Sequence, residues 1–166
     1  MAPYDPRDWH DFYVMAGGAA AALTGLLFVA MSLHSGAILR NPLYAGRAVG
    51  TLVSLMTILF ISGAVLIPGQ PAFAIGIEVG VLALYHLIVS IREVRKMPES
   101  DFALLSRRRR FLELSGASLW IVLFVASAVS LIVGAGGGFY VLAAVMPFMF
   151  GWNGYVAWVL LTEVSD

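Results

Sequence analysis

"IEVGVLALYHLIVSIREVR", residues 77–95, is apolar along most of its length, yet it carries Glu78, Tyr85 and His86 before a charged tail. About 20 mostly apolar residues are what an α-helix needs to cross the hydrocarbon layer of a bilayer. The stretch therefore reads as a transmembrane helix, and the direction its polar residues face becomes the central functional question.

The rest of the chain shares that solvent. Of 166 residues, 60% are apolar and 12% charged, with a mean hydropathy of +0.89; a soluble domain carries about 25% charged residues. Net charge is zero, so bulk charge implies no nucleic-acid partner. Cysteine is absent, which excludes disulfides, thiolate metal sites and cysteine nucleophiles. The start, "MAPYDPRDWHDF", is acid-rich where a secretory signal begins with basic residues, so the first span is expected to be retained.

Five segments satisfy the length and apolarity of a span: about 12–39, 48–67, 72–91, 111–133 and 139–162. Turn chemistry separates them at "RNPLYAGR" (40–47), "PGQP" (68–71) and "GAGGG" (134–138), while a basic connection, 92–110, joins the third and fourth. With five spans, one side of the membrane holds Arg40, Arg47, Arg92, Arg95, Lys96 and Arg107 to Arg110, nine of the ten basic residues. The other side holds Arg7 alone. Positive charge collects in the cytoplasm, so the N-terminus is expected outside, the C-terminus and the 92–110 loop inside, and the chain in the plasma (inner) membrane. Trp9, Phe12, Tyr13 and Tyr44 suit interfacial anchoring. The expected fold is all-α: a single transmembrane domain made of a five-helix bundle.

The first span carries small residues at helical spacing, Gly17, Ala21 and Gly25 on one row and Gly18 and Ala22 on the next. In lipid, such rows let helix backbones approach closely. They serve either packing within the chain or the meeting of first helices from several subunits around an axis. In the second case Thr24, Ser32, His34 and Ser35 lie nearest the axis, and Asp5, Asp8 and Asp11 form an outer acidic vestibule that attracts cations.

"AALTGLLFVAMSLH" (21–34) locally resembles the first, pore-lining helix of the Orai calcium channels, and that resemblance implies a channel assembled around this helix. It departs from Orai at Leu33, which stands where an acidic selectivity residue belongs, in the outside N-terminus and in the fifth span. No functional residue carries over. More loosely, the chain resembles small uncharacterised bacterial multi-span proteins with a "GLLFVA" first helix, a likeness that implies no activity.

Glu78, Tyr85 and Arg92 recur every seven residues, nearly one helix face, with His86 beside Tyr85. A stripe of this kind is expected to face protein or a water-filled cavity, because an acid at the bilayer centre costs about 2.5–3.5 kcal/mol. Glu78 then either pins two helices as a protonated carboxyl, lies on a proton or cation path, or lines a ligand pocket. By depth, Ser62, Ser127 and Ser130 match Glu78, and Ser54, Ser118 and Asn153 match His86. In the fifth span "MPFMFGWNG" (146–154) sets Pro147 among glycines, a kink or the broken helix of a transporter site.

"SRRRRFLEL" (106–114) places Arg107, Arg108, Arg109 and Arg110 at a membrane edge, where each attracts anionic headgroups by about 1 kcal/mol. They serve as a topology anchor or as an anion or partner site. No metalloprotease, nucleotide-loop or paired-aspartate motif occurs, and His34 and His86 differ in depth by roughly 10 Å at 1.5 Å per residue, a misfit for a shared haem. No enzyme activity, cofactor or metal is expected. The leading expectation is a homo-oligomeric channel or proton/cation-conducting protein using Glu78, Tyr85, His86, Asn153, Thr24 and His34. The alternative is a non-catalytic scaffold or accessory subunit that binds a membrane protein or anionic lipid.

Overall fold

The computed structural model describes residues 4–33, 36, 42–96 and 107–163, with the side chains at 42–44, 90, 93–96, 107–118 and 159–163 outside the description. Among the described residues all regular structure is helical: a 3₁₀ turn at Pro6–Trp9, then α1 (His10–Leu33), α2 (Pro42–Leu66), α3 (Ala72–Lys96), α4 (Arg107–Val133) and α5 (Gly138–Glu163).

The helices outrun several of the apolar segments that announce them. α2 begins at Pro42, a residue pre-set for the first helical turn, and α3 continues to Lys96 while α4 starts at Arg107. The basic 92–110 connection is therefore partly helical. Hydropathy marks where lipid contact ends, but backbone hydrogen bonding continues into water wherever the residues allow it. α5 runs unbroken through Pro147, so the transporter-type interruption considered from the sequence is absent.

Four helical stretches are long and apolar enough to cross a membrane: Pro6–Leu33, Ala45–Leu66, Ala72–Val89 and Gly138–Trp158. Among the described side chains α4 contributes the shorter apolar segment Leu119–Val133. The outer surface agrees with a lipid solvent. Leu26 is 68% exposed and Phe148 70% exposed, with Phe28, Val81, Val122 and Trp152 similarly outward. Apolar cover on every side is costly in water and ordinary in a bilayer.

Three helix pairs pack antiparallel, one helix's start beside the other's end. Gly17, early in α1, meets Ser62, late in α2. Gly76, early in α3, meets Ala128 and Ile132, late in α4, and Gly138, opening α5, meets Leu131 and Ser127 of α4. α2, α3, α4 and α5 each touch the next and close a ring, with α1 laid against α2 and α5. The core runs through this arrangement and includes Ile58 and Ile61 of α2, Val79 and Ala83 of α3, Phe124 and Leu131 of α4, and Leu142 and Met146 of α5.

One end of the bundle is closed by tight turns. Ile67 to Gln70 form a turn whose Gln70 N–H donates to the Ile67 carbonyl at 3.3 Å, with Pro68 second and Gly69 third at φ 75°, the type II pattern that requires a positive φ. α4 ends at Val133, and just past it the Gly134 (φ 71°) and Ala135 N–H groups both return to the Ser130 carbonyl, at 2.9 and 3.1 Å, capping the helix. The N-terminal segment lies over this second turn. The Gly137 N–H donates to the Tyr4 hydroxyl at 2.6 Å, and Trp9 packs against Phe12, Phe139 and Tyr140.

Candidate functional site

Successive residues on a helix are turned by about 100°, and this divides the polar residues of α3. Glu78, Tyr85 and Arg92 are exposed on the outside of the bundle, while His86, one position round from Tyr85, turns toward the ring of helices and is half-buried. The sequence joins these four in one stripe; the fold sends them to two faces.

His86 is held from two sides. Its Nδ1 lies 2.8 Å from the Leu82 carbonyl one turn earlier, and its Nε2 lies 3.2 Å from Thr57 Oγ1 on α2. Tyr85 meets the imidazole edge-on with centroids 5.5 Å apart, and Phe124 of α4 lies 6.4 Å away. A carbonyl oxygen only accepts, so Nδ1 carries a hydrogen and the Leu82 bond fixes the ring orientation.

On the next side of the ring Asn153 of α5 is 3% exposed and donates from Nδ2 to Ser54 Oγ of α2 at 2.9 Å. Ser54 and Thr57 are three residues apart and share a face of α2. The two contacts therefore align as a polar layer, α5 to α2 to α3. Thr51, another three residues back, is also buried and donates to the Arg47 carbonyl at 2.9 Å. Thr51, Ser54 and Thr57 rise along α2 over about 9 Å at 1.5 Å per residue, each turned by about 60° from the one before.

Glu78 has a different partner. Gln70 Nε2, in the turn before α3, donates to Glu78 Oε1 at 2.8 Å, while the Gln70 Oε1 is enclosed without a partner. None of the serines matched to Glu78 by depth bonds it. Ser127 donates to the Gly138 carbonyl at 2.9 Å, Ser130 donates to the Ala135 carbonyl, and Ser62 Oγ is buried with no partner.

Asp5 caps the 3₁₀ turn and binds Arg7 through backbone N–H, Nε and Nη2; the Arg7 side-chain hydrogen bonds hold its carboxyl below the ordinary 3.8. Asp11 pairs with His10 at 3.1 Å, and Asp8, in the 3₁₀ turn, is exposed. Gly17 is buried against Ser62, whereas Gly18 and Gly25 have nothing within 4 Å of a Cβ placed on them and share the exposed side of α1 with Ala21 and Ala22. Thr24 Oγ1 is enclosed without a partner. Arg107, Arg108, Arg109 and Arg110 form the first turn of α4, their side chains outside the description, and His34 lies outside the described residues.

Thr51 and Thr57 are site residues absent from the sequence candidates. Their signal lies in the three-residue spacing of Thr51, Ser54 and Thr57 along α2. Among the described residues no group of three or more His, Asp or Glu is placed to hold a metal ion. Comparison with protein-family models, with curated proteins and with solved structures finds no match.

Proposed function

We propose that the chain is a five-span membrane protein, N-terminus outside, that moves protons or small cations through the polar layer inside its helix ring. The fifth crossing is α4, whose 27 residues extend about 40 Å, enough to span. One observation carries the reading: His86–Thr57 and Asn153–Ser54 lie side by side on α2, within a ring whose outside is mostly apolar. Polar groups at membrane depth cost free energy and mark ion and proton paths. Hydroxyls beside an imidazole supply donors and acceptors that a proton needs.

The test is proton and cation flux into proteoliposomes, comparing wild type with Asn153→Leu and Thr57→Val. Flux that falls several-fold in both variants, with folding and oligomer size unchanged, supports the path. Wild type that passes no ion under any imposed gradient or voltage sinks it.

A second reading rests on the outward face of α3. Glu78 and Tyr85 are exposed there, and the small residues Gly18, Ala22 and Gly25 are exposed on α1. An accessory subunit that docks a membrane partner, or a homo-oligomer that meets through α1, uses such surfaces. A stable complex with one larger protein, combined with absence of flux, supports the accessory role.

A further inference from the structure

The hydrogen bonds around His86 hold one more acceptor than the neutral side chains have hydrogens to fill. Thr57 Oγ1 lies 2.9 Å from the Val53 carbonyl and 3.2 Å from His86 Nε2, so two acceptors compete for one hydroxyl hydrogen. The single ring hydrogen of the neutral imidazole is committed to the Leu82 carbonyl at 2.8 Å. With His86 neutral, either Nε2 or the Val53 carbonyl goes without the Thr57 hydrogen. With a proton on Nε2, the imidazolium donates to Thr57 Oγ1, the Thr57 hydroxyl donates to Val53, and every contact is filled with no heavy atom displaced.

From this geometry we infer that His86 is a one-ended proton site: it takes up and releases its proton only through Nε2 and Thr57, and the Thr57 hydroxyl turns from Nε2 to the Val53 carbonyl as it loads. The proton comes from hydronium in the polar layer. On loading, hydronium gives up one O–H bond and leaves as water while one N–H bond forms on Nε2; on release that N–H bond breaks and the O–H bond re-forms on a water, so nothing is oxidised or reduced. Leu82 blocks passage out through Nδ1, because a backbone carbonyl in a helix is a poor onward carrier. His86 thus controls the layer by its charge and by the hydroxyl it turns, and does not pass protons through its ring. This rests on the proposed polar path, whose regulation it specifies.

The surroundings fit transient loading. α2 presents Thr57 to the ring of His86, with Ser54 one turn away, and α4 presents Phe124. On α3 itself the neighbour is Tyr85, with Glu78 and Arg92 on the outward face. α5 reaches the layer through Asn153. Among the described side chains no carboxylate faces the imidazole.

Nitrogen NMR of full-length protein in lipid nanodiscs, labelled at histidine, tests this, with His86 assigned by His86→Asn. The expected neutral form is protonated on Nδ1 and bare on Nε2, the reverse of the tautomer that free histidine prefers. Thr57→Val should keep that tautomer and move the Nε2 shift, and Thr57→Ser should restore it. A neutral His86 protonated on Nε2, or an Nε2 shift indifferent to Thr57→Val in folded protein, overturns the inference. Flux on the same samples separates the two ideas. The expected tautomer without flux keeps the one-ended site and removes the path; flux with the other tautomer does the opposite.

Discussion

Gly17 of α1 faces Ser62 of α2 so closely that a Cβ on the glycine would lie 3.0 Å from Ser62 Cβ. One residue on, Gly18 has nothing within 4 Å. Two adjacent glycines thus hold opposite roles, one letting α1 dock on α2 and one lying on the outer surface.

Gly17→Val should therefore destabilise the bundle by about 1–3 kcal/mol, the range for overpacking a filled site. Gly18→Ala should change stability by less than about 0.5 kcal/mol, as exposed substitutions do. Reversible unfolding in mixed micelles measures both. Ser62→Ala, which keeps the Cβ but removes an unpartnered buried hydroxyl, should be neutral or stabilising. Equal losses at Gly17 and Gly18 would refute the assigned docking face.

The Asn153–Ser54 contact predicts a coupled pair. Each single change, Asn153→Ala or Ser54→Ala, should destabilise, and the double variant should lose less than their sum. Interhelical hydrogen bonds in membranes couple by about 0.6 kcal/mol and at most about 1.7 kcal/mol. A double-mutant cycle reads the coupling directly, and additive losses would mean that the amide contributes packing alone.

Much of this architecture is legible in the letters, because lipid imposes simple rules. Helix existence follows from apolar length, and the turns follow from Pro68–Gly69 and the glycines from 134 onward, whose positive φ few other residues adopt. Rotation about each helix axis is not legible. Glu78, Tyr85 and Arg92 keep one face by spacing, yet whether that face points inward is decided by how α3 packs on α4, where Gly76 allows close approach to Ala128. The sequence placed Ser54, Asn153 and His86 at one depth, and Asn153–Ser54 became a bond, while His86 chose Thr57. Depth is a one-dimensional measure; partner choice needs the other two.

The N-terminal turn should loosen in acid. Arg7 holds the Asp5 carboxyl below its ordinary 3.8, so the folded state favours the ionised form. The pair's contribution is present above that ordinary value and is lost as pH falls through the lower folded value. Asp5 also caps the turn that carries Tyr4 to Gly137, so exchange of the Gly137 amide should quicken across that window. Asp5→Asn should weaken the pairing with Arg7 at neutral pH, and Tyr4→Phe should expose the Gly137 amide at every pH, a loss of about 1 kcal/mol. Hydrogen exchange at Gly137 checks all three. Added salt should reduce the Asp5 effect, since the pair is exposed.

The outward face of α3 gives a direct test of its rotation. The natural chain has no cysteine, so single cysteines can be introduced without background. Val81, Leu84 and Tyr85 are about half or more exposed, at 62%, 56% and 49%, whereas Val79 and Ala83 are at most 1% exposed. A fluorophore at Val81→Cys or Leu84→Cys should be quenched strongly by a lipid-borne nitroxide, and one at Ala83→Cys should be protected or should unfold the bundle. Glu78 sits near the turn that begins α3 and is tied to Gln70, so a label at Glu78→Cys should respond to shallow lipid quenchers more than to deep ones. Quenching that peaks at Ala83 would turn the helix by about half a revolution and return Glu78 to the interior. Protection of Leu84 and Tyr85 together, in a sample that cross-links between copies at Tyr85→Cys, would show that a second chain covers this face and would decide for the docking reading.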